Sequence, residues 1–547
     1  MRFLRITYLR GPNIWTYRPV LEAWVDIGAL EDTPTNTILG FYERLVGWLP
    51  SLIEHRCGIG ERGGFLRRIK EGTWMAHVLE HVAIELQNLA GMQAGFGKAR
   101  QTSRRGIYKV AVRARNEEVG RAALAMGRDL VMAAIEDRPF DVAAAIADLR
   151  QKINDHHLGP STFCIVQAAA DCRIPVIRLN DGNLVQLGYG AHQRRIWTAE
   201  TEYTSAIGES ITTDKDLTKR LLRSCGIPVP EGEIVESADA AWAAAQEIGL
   251  PIVVKPIDGN HGRGVVLDLS REEDIRAAFA IADAEGSDVI VERFMHGHEH
   301  RLLVVGDKLV AAARGEEVGV IGNGHDTVVA LIDAQINNDP RRGLNEDTPL
   351  NKVLIDEDPT IVLELARQQL TRDSIPAAGQ QVLIQRNGNV SADVTENVHP
   401  ENAALAVLAA RVIGLDIAGV DIVASDISQP LARQGGAVIE VDAGPSLLTH
   451  LRPASGKPQP VGEAIVSHLF PDAERQGRIP IFGITGKQGA TAIAQQLAAL
   501  FRLAGYQVGL ACRDGLYFGH RRVDKRNAVN WTSGERLLMN RRVDIAV

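Results

Sequence analysis

Lysines, glycines and carboxylates recur along this chain in an order that could do phosphate chemistry. Lys215 stands near a helix start in "TTDKDLTKRLLRSCGIPVPEGEIV", and Lys255 ends the strand-like "PIVVKP" just ahead of a glycine-rich loop, Gly259 to Gly264. Two fixed cations, with a loop whose backbone N–H groups can approach an anion, suit the phosphates of ATP. Gly262 lies in that loop, together with His261 and Arg263. Behind an apolar run, Glu292 is placed for an adenine-side hinge and Glu299 for a ribose hydroxyl. Asp421 in "AGVDIV" and Glu440 and Asp442 in "AVIEVDAG" add carboxylates, the last two alternating so that they share one strand face. Hard oxygen ligands of this kind suit Mg²⁺ bridging ATP phosphates.

A second anion site is half written near the C-terminus. "IFGITGKQGATAIAQQLAAL" reads as strand, turn and amphipathic helix, with Gly483, Gly486 and Gly489 spaced as in a phosphate-cradling loop. The position of that loop's lysine is held by Ala490, followed by Thr491. Removing the ammonium from a triphosphate site takes away a charge-assisted contact of about 1.5–3 kcal/mol. Lys487 falls on the loop rather than at the helix start.

In "AHVLEHVAIE", His77 and His81 stand one helical turn apart with Glu80 between them. Such an HxxEH arrangement can hold Zn²⁺ with two imidazoles while the glutamate serves as base, and Glu85, His55 and Cys57 are candidates for a further ligand. The same pattern also fits histidines that are simply satisfied within an amphipathic helix. The basic runs "ERGGFLRRIKEG" and "KARQTSRRG" read either as solvated faces or as a surface for an acidic chain.

The elements needed to position these groups require several domains. A chain of 547 residues, 45% hydrophobic and 23% charged, has ample core and no disorder signature. It has a net charge of -8, a pI near 6.0 and a mean hydropathy of -0.06. That balance argues against a general nucleic-acid binder, and no apolar run is long enough to span a membrane. "MRFLRITYLRGPNIW" lacks the apolar core of a signal peptide, and five scattered cysteines without CxxC spacing fit a reducing cytoplasm. The expected fold is a mixture of α/β and α+β domains. An N-terminal α+β domain occupies 1–160, a domain alternating short β-branched runs with helical patterns occupies 161–475, and a partial phosphate-loop βαβ segment occupies 476–547. So short a last segment is expected to lean on another domain or to continue in a longer chain, and it makes self-association as a dimer or tetramer plausible.

The ordered set of lysines, glycine loop and carboxylates resembles the ATP-grasp ligases, with Asp442 where that family usually has Asn. "KPIDGNHGRGV", "NNDPRRG", "VTENVHPEN", "GVDIVASDISQPL" and "EVDAGPSLLTHLRPASGKPQPVGEAIVSHLFP" are similar to the ATP-grasp domain of the cyanophycin synthetases, and the similarity runs through the whole chain. The resemblance implies an N-terminal domain, an ATP-grasp domain and a Mur-ligase-like domain, with ATP and Mg²⁺ as cofactors. It implies a carboxylate activated as an acyl phosphate and captured by an amine, extending a poly-aspartate chain that carries arginine on its β-carboxyls. Arg301, Arg263 and His261 become the catalytic candidates, the arginines for the acyl phosphate or a carboxylate, with a surface ion pair as the plainer reading of either. The helix bearing His77, Glu80 and His81 resembles one that in some cyanophycin synthetases carries a metal-dependent hydrolase site producing primers. Ala490 interrupts the GxTGxxGKT of the Mur ligases, so that domain is expected to be a shortened relic. The pattern is then most like cyanophycin synthetase 2, which polymerises preformed β-aspartyl-arginine dipeptides onto a primer. Leu448, where an arginine is expected, and a shortened "RNGNVSADVTENVHP" loop point to altered substrate contacts. The alternatives are a bifunctional enzyme adding free Asp and Arg, and another ATP-grasp peptide ligase.

Overall fold

The computed structural model describes residues 1–156, 158–257, 264–286, 288–339, 341–343, 348, 350–471 and 477–547. They form two compact units, Met1–His157 and Leu158–Val547.

The first unit is built on an antiparallel sheet of four strands in the spatial order Arg2–Leu9, Val20–Asp26, Ile107–Arg113, Gly97–Gln101. Alternation sends Leu21, Ala23, Val25, Val110 and Val112 to one face, where they meet Ala76, Leu79 and Ala83 of the helix Met75–Leu89. The other side of that helix presents Met75, Val78, Val82 and Leu86 to Phe41, Phe65 and Leu130. Lying between two apolar layers, the helix is buried nearly all round, and Glu80, His81 and Glu85 are buried with it. The helix Glu117–Glu136 that closes the second layer starts at Asn116, whose side chain accepts from the N–H groups of Glu118 and Val119.

Two sheets of the second unit position the site. One has the order Val266–Leu269, Ile252–Pro256, Val289–Arg293, Gly232–Val235, all antiparallel. Ile252, Val254, Val289 and Val291 pack on the helices Ala238–Ile248 and Glu272–Asp283, which turns Lys255 and Glu292 to the opposite face. A larger antiparallel sheet has the order Gln381–Asp393, Lys308–Ile321, His298–Val305, Ile417–Ala424, Ala437–Ala443. One face, with Leu302, Val304, Val420 and Ile422, lies under Ala406, Ala409 and Ala410 of the helix Pro400–Ile413. The other face is divided: Leu303, Val305 and Ile417 pack among Ile165, Val461 and Ile465, whereas the remaining length carries charge.

Residues 477–547 form a third sheet, in the order Arg521–Asp524, Gly515–Phe518, Val508–Cys512, Ile545–Ala546, the last two parallel. The strand expected at "IPIFGIT" is reduced to a bridge between Ile481 and Ala546. Pro480 can accept but not donate, and after Phe482 donates to the Ala546 carbonyl the chain leaves for the glycine turn. This segment rests on the sheet Val176–Arg178, Leu184–Leu187, Arg194–Trp197, Glu200–Thr201, with Ile177 packed among Ile479, Leu516, Leu537 and Val543.

Candidate active site

Strand register brings the predicted carboxylates together. Arg301 lies directly opposite Asp421, and Asp421 opposite Glu440, across three neighbouring strands. Residues opposite one another share a face, and so do residues two apart, so Glu299 and Asp442 join the same charged area. The Arg301 guanidinium donates from Nε to Asp421 Oδ1 at 2.8 Å and from Nη2 to Asp421 Oδ2 at 2.6 Å. It also reaches Asp442 at 2.9 Å. Oxygens of Asp421, Glu440 and Asp442 lie within 4.8 Å of one another, a donor set that fits a divalent cation with oxygen preference.

The cations stand around this area. The helix Lys215–Ser224 is started by Asp214, which accepts from Leu217 N–H. Its buried side presents Lys215 to Glu440 at 3.4 Å. Lys255 Nζ is 2.8 Å from Glu292 Oε2. The other oxygen of Glu292 accepts from Lys219, which sequence reasoning passed over although it follows Lys215 by one helical turn in "DKDLTK". Glu292, expected near adenine, therefore has its carboxylate engaged between two ammonium groups. Gly262, His261 and Arg263 lie outside the described residues.

Burial and charge set the proton affinities. Burial works against the Lys255 ammonium, but Glu292 and then Glu440 outweigh it and hold the group charged. Burial would also raise Glu292, yet Lys255 and Lys219 bring it down to about 2. Lys219, lowered by burial and then by Lys255, is brought to about 7. Burial followed by the nearby Asp421 pushes Glu299 up to about 8. Asp442 is pushed up to about 7 by burial, against the pull of Arg301. For Glu440 the three cations Lys215, Lys255 and Arg301 overcome burial and keep the carboxyl below its ordinary range. A doubly charged cation bound beside Asp442 would offset the burial that now raises that carboxyl.

The first unit contains a separate cluster. Cys57, His77 and His81 offer ligand atoms within 4.8 Å of one another. His77 Nδ1 is 2.8 Å from Thr73 Oγ1, and His77 Nε2 is 3.0 Å from Cys57 Sγ. His81 Nδ1 is 2.7 Å from His55 Nδ1, and His55 Nε2 is 2.6 Å from Glu85. Both Nδ1 atoms are thus engaged, which leaves Nε2 of each histidine for a metal, and a sulfur with two imidazoles fits Zn²⁺. Of the three candidate further ligands the geometry brings Cys57 into the group and sets His55 and Glu85 behind His81. Glu80 lies against Gly97 and takes a hydrogen bond from the Ala99 backbone, and burial pushes it up to about 7. In the C-terminal segment, Gly489 is in the left-handed region at φ 77 and begins the helix Ala490–Leu503, with Lys487 exposed on the turn.

Residues 22–136 match the cyanophycin synthase-like N-terminal domain, and residues 214–408 match the ATP-binding domain of the carbamoyl-phosphate synthase L chain. Cyanophycin synthetase from Nostoc sp. is 41% identical over 558 residues, covering 100% of this chain and 62% of the relative. The chain thus spans less than two thirds of that relative's length. The glutathione biosynthesis bifunctional protein GshAB of Clostridium perfringens is 32% identical over 306 residues, covering 54% of this chain and 38% of its own. A solved bifunctional glutathione synthetase from Pasteurella multocida aligns over 65% of this chain and 52% of that one, at 27% identity and a TM-score of 0.42. The chain therefore joins a cyanophycin synthase-like N-terminal domain to an ATP-binding domain of ATP-grasp ligase type, and is similar to the cyanophycin synthetases along its whole length.

Proposed function

We propose that the chain is an ATP-dependent amide ligase that lengthens cyanophycin by adding preformed β-aspartyl-arginine dipeptides to a primer. The observation that carries this reading is the row Arg301, Asp421, Glu440 across adjacent strands, with Asp442 beside it and Lys215 and Lys255 at its edge. Asp421, Glu440 and Asp442 would hold Mg²⁺, which supplies charge for the ATP phosphates. Lys215 and Lys255 bind phosphate oxygens, and Glu299 faces the sugar. A substrate carboxylate attacks the γ-phosphorus, ADP leaves, and the resulting acyl phosphate meets the amine of the other substrate; the C–N bond forms as phosphate departs and the amine proton passes to solvent. Arg301, fixed by Asp421, is placed to steady the negative charge that gathers on the transferred phosphoryl group. Arg263 and His261 complete the proposed catalytic set.

The dipeptide preference rests on Ala490, which leaves the second glycine turn without the ammonium that arginine attachment at a separate ATP site would use. The cluster Cys57, His77, His81 supports a Zn²⁺-dependent hydrolytic role in the N-terminal domain, with Glu80 as base, yielding primers. All five cysteines are free, which suits a reducing cytoplasm, and no helix among the described residues is long and apolar enough to cross a membrane. The protein is expected to work as a homo-oligomer. Release of ADP is the deciding measurement, with Mg-ATP and a short primer, comparing the dipeptide with free Asp plus Arg. Turnover on the dipeptide alone is expected. Incorporation of both free amino acids would establish the bifunctional reading, and turnover on unrelated amino acids would establish a different peptide ligase.

A further inference from the structure

Lys219 has no evident reason to be a lysine on packing grounds. It is 5% exposed, on the inward side of the helix Lys215–Ser224 beside Thr218 and Leu222, where an apolar side chain would avoid the cost of burying charge. Its partner Glu292 is 2% exposed and has only two oxygens, one accepting from Lys219 and one from Lys255. Two lysines sharing one carboxylate leave Glu292 no oxygen to spare for either. A carboxylate free of Lys219 could turn both oxygens onto Lys255.

We propose that Lys219 is a positioning residue for nucleotide binding: by holding one oxygen of Glu292 it prevents that carboxylate from turning both oxygens onto Lys255, so that Lys255 keeps N–H donors for a phosphate. The inference rests on the ATP-site reading of Lys255 given above. It explains why a glutamate in a phosphate-binding region is compatible with anion affinity. Glu292 orders Lys255 against the sheet, and Lys219 offsets the charge that this ordering introduces. Lys215, engaged with Glu440 on the same helix, is too occupied there to perform this task for Glu292.

The test is a double-variant cycle read by the dissociation constant of a non-hydrolysable ATP analogue with Mg²⁺, with thermal unfolding alongside. Lys219→Met is expected to weaken binding about tenfold or more, and adding Glu292→Gln to it is expected to return binding to within about threefold of the parent, because an amide has a single acceptor oxygen and leaves Lys255 donors for the phosphate. Binding unchanged in Lys219→Met with only a lowered melting temperature would overturn the proposal in favour of a purely structural ion pair. Equal weakness of the single and double variants would overturn it in favour of direct contact between Lys219 and nucleotide. Should Lys219→Met fail to fold, Lys219→Gln carries the test, because its amide N–H can still hold the Glu292 oxygen without the charge: retained binding supports the proposal and lost binding overturns it. Lys255→Met separates the two levels of inference, since undiminished binding there would remove the ATP-site reading itself.

Discussion

At the scale of single residues the active-site face works by sharing charge. Asp421 and Asp442 share the guanidinium of Arg301, Glu292 shares its oxygens between Lys219 and Lys255, and Glu440 takes Lys215. Several of these groups were legible in the sequence because they end or interrupt an apolar run, as Lys255 does in "PIVVKP", Glu292 in "VIVERF" and Asp421 in "AGVDIV", where a charged residue has few reasons to occur. Lys219 was not, because a lysine four residues after another in a helix reads as one more solvated charge, and only tertiary packing shows that this face is buried. Cys57 was one of three candidates for a reason of the same kind: no local pattern links it to His77, twenty residues away, before the turn folds back. Two buried histidines of the second unit give a pH prediction. His300 and His450 are each pushed down to about 4 by burial, and among the described residues His300 Nδ1 and His450 Nε2 have no hydrogen-bond partner. A histidine whose folded pKa lies below its unfolded value binds a proton more readily when unfolded, so stability is lost as pH falls from about 6.5 towards 4. Between about pH 7 and pH 5 each histidine should cost about 2 kcal/mol. Denaturant melts at the two pH values should show this loss, and the variant carrying His300→Gln and His450→Gln should lose correspondingly less; equal acid sensitivity in parent and variant would refute the assignment.

At the scale of elements, the site exists because one sheet face is divided. Along His298–Val305, Leu303 and Val305 are covered by the helices Pro160–Asp171 and Val461–Leu469, whereas Glu299 and Arg301 continue the same alternation beyond the apolar cover. The β-branched runs 301–313 and 251–256 and the helical stretch 73–91 were readable from periodicity, and they fall on the strands His298–Val305, Lys308–Ile321 and Ile252–Pro256 and the helix Met75–Leu89. What periodicity could not supply was register, since a face shared by Arg301, Asp421 and Glu440 depends on the pairing of Arg301 with Asp421, 120 positions away. The same limit explains "IPIFGIT", whose β-branched residues promise a strand but whose only pairing is with the short Ile545–Ala546. Register also makes Gly232 informative. It lies opposite Glu292, and a Cβ there would stand 2.7 Å from Glu292 Cγ and 3.1 Å from the Val291 carbonyl. Gly232→Ala must therefore turn the glutamate off its lysines. The expected result is a stability loss of about 1–3 kcal/mol together with several-fold weaker nucleotide binding, read by calorimetry and by titration with an ATP analogue. A loss of stability with unchanged affinity would show that the orientation of Glu292 does not matter to the site.

At the scale of the molecule, each unit has its own core, and residues 477–547 belong to the second through a narrow set of contacts. Gln186 Nε2 donates to the Leu538 carbonyl at 3.0 Å and Gln193 Nε2 to that of Met539 at 3.1 Å. The N–H of Tyr189 reaches the Gly477 carbonyl at 2.7 Å, and that of Ala191 reaches Val543 at 2.9 Å. Such close backbone approach requires the glycines of "LGYG". Gly190 has φ 55, and a Cβ on it would stand 2.2 Å from the Val543 carbonyl oxygen, a rigid atom that cannot step aside. Gly190→Ala therefore combines left-handed backbone strain with a backbone clash, and should release the C-terminal segment by about 2–4 kcal/mol. Gly534→Ala is the contrasting change: it lies within the helix Trp531–Met539 with nothing within 4 Å of its added Cβ. There alanine should stabilise by about 0.5–1 kcal/mol through helix propensity. Limited trypsin digestion distinguishes the two, since Arg478, Arg541 and Arg542 flank the clasp. Rapid cleavage at these arginines in Gly190→Ala, with slower cleavage than the parent in Gly534→Ala, would show that the segment is held by this clasp. Equal digestion of all three proteins would show instead that its attachment depends on its other contacts, among them the packing of Ile177 on Ile479 and the pairing of Arg541 with Glu202.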